Sequence, residues 1–186
     1  MQKSKGFTLI EVLVVAGIII VLTMILVSNF PRIKLLFALS RSTYKFGQDL
    51  RRMQALGFAD APYRDSSGSP FPTHGYGIYI RMMENKKYTL FADSVNGVVT
   101  VYDSSLDYTL ESVDLEPGVM IKSISNPLWP DVNINFIPPN TITIGNSLME
   151  TLNTVDTLDI VFALESDQAT TKTVSINTAG LIEVER

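Results

Sequence analysis

The sequence predicts an α+β protein in which one long N-terminal helix carries a β-rich C-terminal head. Three observations predict it. From Val12 through Pro31, twenty positions, no residue is charged, and that length crosses a bilayer core of about 30 Å as a helix. Beyond it, Leu36, Leu39, Thr43, Phe46, Leu50, Met53 and Gly57 recur at three- and four-residue steps, which places a mostly apolar stripe on one helix face. From Gly75 onward, short alternating runs separated by turn residues follow one another, and no second amphipathic helix is legible.

The first element is defined by order as much as by composition. A secretory signal places its cleavage site after the apolar stretch. Here the basic leader, with Lys3 and Lys5, ends at Gly6 before that stretch begins, and Ala16-Gly17 is the only small pair inside it. Taken by itself, the segment is an uncleaved single-pass anchor with a short cytosolic tail. Glu11 sits near the start of the run. A carboxylate at that depth is costly and calls for a partner.

Lys5-Gly6-Phe7-Thr8-Leu9-Ile10-Glu11-Val12, set directly before an apolar run, resembles the processing site of type IV prepilins and type II secretion pseudopilins. The resemblance implies a specific sequence of events. A membrane-embedded prepilin peptidase cuts after Gly6, the new N-terminus Phe7 is N-methylated, and Glu11 pairs with the Phe7 ammonium of a neighbouring subunit. The physics is consistent with those roles. Gly6 lacks a side chain and lets a protease approach the backbone. A carboxylate and an ammonium are each expensive in lipid and attract more strongly as the dielectric falls. A subunit out of register would leave a charge unpaired. On this reading residues 1–6 are a leader, 7–30 the membrane and assembly helix, 31–57 an amphipathic stem, and 58–186 the head.

One rule opposes the exported head that this implies. Lysine and arginine favour the cytoplasmic side of a span. Arg32, Lys34, Arg41 and Lys45 follow the run, against Lys3 and Lys5 before it. The processing motif is given precedence over that count.

A continuous helix from Phe7 to about Leu56 would be roughly 75 Å long. Pro31 removes an amide donor and is expected to kink or loosen it. Phe58 to His74 holds Pro62, Ser66-Ser67-Gly68-Ser69-Pro70 and Pro72, a composition of turns and mobility. Strands are expected around Tyr76–Ile80 and Tyr88–Ala92, with Asn96-Gly97 turning a hairpin into Val98–Tyr102. Further strands are expected at Val119–Ile124, Val132–Ile137, Thr141–Ile144, Leu158–Leu164, Lys172–Ile176 and Leu181–Val184. Val132, Ile134 and Phe136 against Asn133 and Asn135 predict a half-buried strand ended by Pro138-Pro139. Asn177 to Gly180 predicts the last turn.

Within this head, Gly75-Tyr-Gly-Ile-Tyr-Ile80, Tyr88-Thr-Leu-Phe-Ala-Asp93, Gly118-Val-Met-Ile, Asn135-Phe-Ile-Pro138 and Thr173-Val-Ser-Ile-Asn-Thr-Ala-Gly180 are similar to the minor pseudopilin H and fimbrial T family. That resemblance implies a stem helix packed against antiparallel strands in two sheets. The family commonly has Gly-Arg before its last strand, where this chain has Gly180-Leu181. The departure weakens any DNA-capturing role.

Composition excludes more than it assigns. The chain has 186 residues and no cysteine, so disulfides, thiolate catalysis and Cys-ligated zinc are ruled out. Residues 31–57 carry six basic residues and one acid, net +5, and residues 58–186 carry seven basic and seventeen acidic residues, net −10. An acidic head is a poor match for nucleic acid, which is bound largely through Lys and Arg on phosphates. The only histidine, His74, reads as a surface or strand-edge residue. Asp93 to Gly97, Asp103 and Asp107 read as solvated turns, since the alternating acids and distal Glu of a calcium loop are missing. Trp129, between prolines, reads equally as an exposed contact or as a cap on the core.

The expectation is therefore a structural subunit of a pilus or pseudopilus, with neither catalytic residues nor cofactor nor metal. Its partners are prepilin peptidase, other pilin subunits and, before assembly, the cytoplasmic membrane, with the head on the outer side. The alternatives are a pilus-associated adhesin or DNA-uptake subunit and, remotely, a membrane-tethered enzyme.

Overall fold

A computed structural model describes residues 8–65, 67–95, 101–125, 129–148, 150–151 and 157–185, with the backbone alone at Ser28 and Asn29. The chain forms two compact units, Met1–Phe37 and Ala38–Arg186. One helix, α1 (Leu9–Phe58), contributes to both.

In the first unit the described residues from Leu9 on are helical, and those from Val12 through Pro31 are uncharged. Large side chains from Leu9 to Val27 are between 53% and 84% exposed. Valine and isoleucine are mediocre helix formers in water. In lipid a single segment can satisfy its backbone internally only as a helix. The hydroxyl of Thr23 follows the same rule, donating to the Ile19 carbonyl at 2.7 Å. The helix continues through Pro31 without a break in the element, so the expected interruption is reduced to one missing amide donor.

In the second unit the helix becomes one-sided. Leu39, Phe46, Leu50 and Met53 are buried, while Leu36 at the start of the expected stripe is 40% exposed. The eleven strands are β1 (Tyr63–Arg64), β2 (Pro70–Phe71), β3 (Thr73–Arg81), β4 (Lys87–Ser94), β5 (Tyr108–Asp114), β6 (Val119–Ile124), β7 (Asp131–Ile137), β8 (Thr141–Gly145), β9 (Thr157–Leu164), β10 (Thr171–Asn177) and β11 (Ile182–Val184). They form a five-stranded sheet ordered β5-β4-β3-β7-β8, a four-stranded sheet ordered β11-β10-β9-β6, and a two-stranded ribbon β1-β2. Every pairing is antiparallel. The α+β class and the two principal sheets are as the sequence predicts.

Phe46 joins the layers. Its ring meets Tyr88 of the five-stranded sheet edge-on at 4.9 Å and Phe162 of the four-stranded sheet at 5.3 Å. Gly57 lets the end of the helix reach β7, since a Cβ there would collide with the Phe136 carbonyl oxygen. Within this core, Asp49 is 9% exposed and accepts the Tyr88 hydroxyl at 2.6 Å. Burial, and then that bond to a carboxylate, push the Tyr88 hydroxyl pKa up.

Several expectations need correction. The strand beside β4 is β5, not Val98–Tyr102. Val101 and Tyr102 lie outside any strand, and the expected Asn96-Gly97 turn and residues 98–100 lie outside the described residues. The Tyr102 backbone N–H instead donates to Asn133 Oδ1 at 2.9 Å, so this segment crosses the outer face of the sheet. That cover explains why β7 is not half-buried: Asn133 and Asn135 are each 1% exposed. The segment after the helix is also more ordered than its composition suggests. The ribbon β1-β2 forms there, with Asp65 Oδ1 accepting from the Ser67 and Ser69 amides at 2.9 and 3.0 Å. Tyr63 stacks on Tyr108 at 4.5 Å. The last turn is as expected: Asn177 Oδ1 accepts from the Ala179 and Leu181 amides, and Gly180 takes φ +92°.

Candidate functional site

The N-terminal site begins at Thr8, with Gly6 and Phe7 outside the described residues. Glu11 lies in the first turn of α1. Its Oε2 accepts from the Thr8 amide and from the Thr8 hydroxyl, both at 2.8 Å, while the Glu11 amide donates back to Thr8 Oγ1 at 3.3 Å. This is a reciprocal capping box, which satisfies orphan donors at a helix start. A negative charge there also complements the positive end of the helix dipole. In the single chain the carboxylate therefore has a local partner in Thr8. Glu11 stands out in the sequence as the lone carboxylate of the run, whereas its partner Thr8 does not. The signal was available, a threonine three residues before a glutamate at the head of an apolar run.

The surroundings of Glu11 are apolar: Leu9, Ile10, Val12 and Leu13 are all at least 60% exposed. The carboxylate thus stands in a greasy, solvent-facing helix surface with no second charge before Arg32. Such a surface is covered by lipid or by other apolar helices.

The remaining candidates form no reactive centre among the described residues. His74 lies on β3, 3.9 Å from Asp93 Oδ1 through Nδ1. Asp93 and Asp107 are 1% and 8% exposed, which corrects their reading as solvated turns. Asp107 accepts the Ser94 and Asp103 amides at 2.9 and 2.8 Å and so fastens the loop to β4. Asp103 is the solvated one, its carboxyl held below the usual carboxylate range by bonds from the Ser105 hydroxyl and amide. No three of the acidic residues and histidine gather as metal ligands among the described residues. Trp129 is 4% exposed, a core residue and not a surface contact.

Residues 1–27 match the family model described as the prokaryotic N-terminal methylation motif. Neither the curated proteins nor the solved structures contain a match to the chain. The motif implies, in general terms, processing by a prepilin peptidase and assembly with pilins. The N-terminal motif, together with the long apolar helix and the β-rich head already described, supports a type IV pilin-like protein or pseudopilin.

Proposed function

We propose that the chain is a minor pilin or pseudopilin that helps prime or cap a filament on the outer side of the cytoplasmic membrane. The observation that carries this reading is the methylation-motif match over residues 1–27, running directly into the uncharged segment Val12–Pro31. Residues 1–6 are the leader, removed after Gly6, and Phe7 becomes the N-methylated mature terminus. Residues 7–30 hold the protein in the membrane and then in the filament, 31–57 form the stem, and 58–186 the head. Glu11 docks against the Phe7 ammonium of the adjacent subunit. That step exchanges the carboxylate's neutral Thr8 donors for a charged one, which makes the stronger hydrogen bond.

Two antiparallel sheets around the end of one helix support assigning the head to the minor pseudopilin H and fimbrial T type. Its net charge of −10 speaks against a nucleic-acid partner. The test is co-expression with a prepilin peptidase, followed by mass spectrometry of the intact membrane-extracted protein. The expected product lacks the first six residues and begins with methylated Phe7. A chain that keeps Met1 to Gly6 would overturn the reading.

A further inference from the structure

The outer face of the five-stranded sheet carries a cluster of aromatic side chains beside a cleft. Tyr79 of β3 and Thr89 of β4 are cross-strand neighbours on that face. The loop after β4 brings Tyr102 over them, its ring 4.8 Å from Tyr79 and 4.9 Å from Phe91. Tyr102 is held at both ends, by its amide on Asn133 Oδ1 at 2.9 Å and by its hydroxyl on Thr109 Oγ1 at 2.8 Å. The Tyr79 hydroxyl is likewise spent, donating to Asp131 Oδ2 at 3.2 Å. The two rings lie against each other, tilted by 34°, and both line the space beside them. Beside them opens a cleft of about 470 Å³, within the size range of small-molecule sites.

The rim of the cleft is charged but balanced. Glu84 binds both Arg81, at 3.2 Å, and Lys87, at 2.5 Å, and Asp103 supplies a second negative group. An ionic ligand therefore meets no net field. A purely apolar ligand would desolvate four charged side chains without replacing their hydrogen bonds. Donors nevertheless remain: Arg81 carries five N–H groups and Lys87 three, of which Glu84 uses a part.

We propose that this cleft binds a neutral saccharide, with one ring face on the Tyr79–Tyr102 pair and its hydroxyls on Arg81, Glu84, Lys87 and Asp103. Aromatic faces and hydrogen-bonding charges without net sign are the complement of a molecule with an apolar C–H face and a polar rim. The assignment is independent of the filament reading.

The test uses the full chain in phosphatidylcholine nanodiscs, which carry no sugar headgroups. Lactose, cellobiose and N,N′-diacetylchitobiose are titrated by saturation-transfer NMR, with sialyllactose as a charged comparison. At least one neutral disaccharide is expected to receive saturation and to bind more tightly than sialyllactose. Tyr102→Ala should weaken it by about tenfold, the equivalent of about 1.4 kcal/mol. Tyr63→Ala, in the separate Tyr63–Phe71–Tyr108 cluster, should leave it unchanged. Lys87→Met changes a half-exposed side chain and decides the matter if Tyr102→Ala does not fold; a loss of binding of similar size is expected. Absence of saturation on all three neutral probes, preference for the charged sugar, or unchanged affinity in the folded variants would each overturn the proposal.

Discussion

The first unit and the head reach their assignments by opposite routes. In Met1–Phe37 the described helix makes almost no tertiary contact, and its meaning lies in a motif and in the order of its residues. In Ala38–Arg186 the core is dense, with Phe46, Leu50, Met53, Leu90 and Phe162 entirely buried, yet the match to a known family stops at residue 27. Exposed apolar side chains require an environment that the single chain does not supply. Buried ones have found theirs. The contrast teaches that a segment built for assembly is legible through what it lacks, and a globular head through what it packs.

The largest expected effect tests the first unit. Glu11→Val should spare membrane insertion and cleavage after Gly6 but abolish incorporation into the filament, read as the ratio of sheared filament to membrane pool. Normal incorporation would remove the proposed register role of the carboxylate and with it the contrast.

A smaller effect sharpens the contrast from the other side. Phe46→Ala removes the ring that touches both sheets and should cost about 3–5 kcal/mol of head stability, measured by urea unfolding of the full chain in detergent. Peptidase cleavage after Gly6 should proceed at the parental rate. Slowed cleavage would mean that the two units are energetically coupled.

The smallest effect concerns the Tyr88–Asp49 bond. Tyr88→Phe leaves Asp49 buried without this donor and should cost about 1–3 kcal/mol at neutral pH. The alkaline limb carries a signed prediction. Burial and then Asp49 raise the Tyr88 hydroxyl, and burial and then Asp131 push Tyr79 up to about 12. The folded state thus keeps protons that the unfolded chain releases near its ordinary tyrosine pKa of about 10. Stability from this source is complete below about pH 10 and falls as pH rises towards 12. Tyr88→Phe should make that fall shallower, observed as thermal midpoints against pH. A slope identical to the parent's would refute the assignment.

The alternation of apolar and polar residues disclosed β3, β4 and β6 to β11, because each buries one row of aliphatic or aromatic side chains. It did not disclose β5. Tyr108–Asp114 is an edge strand whose Thr109, Glu111, Ser112 and Asp114 are exposed, so only Val113 among its seven residues is buried. The neighbouring Val98–Tyr102 looked more strand-like by composition, yet Tyr102 is used to cover Asn133. The ribbon β1-β2 has two residues per strand, too few for any period. Buried Asp49 was hidden for a related reason: its donor Tyr88 is 39 residues away, which no local spacing reveals. At the N-terminal site, by contrast, the side-chain hydrogen bonds of Glu11 among the described residues run to Thr8, three positions away, a spacing visible in the sequence itself.

The Phe46 ring, held between Tyr88 and Phe162, also has a mechanical meaning. Tension applied along the helix reaches both sheets at the Phe46 ring, and also through the Asp49–Tyr88 and Arg51–Ile182 bonds, while Gly57 seats the last turn against Phe136. Load of that kind is shared in parallel. The head should resist pulling until it gives way as a whole, without unravelling strand by strand.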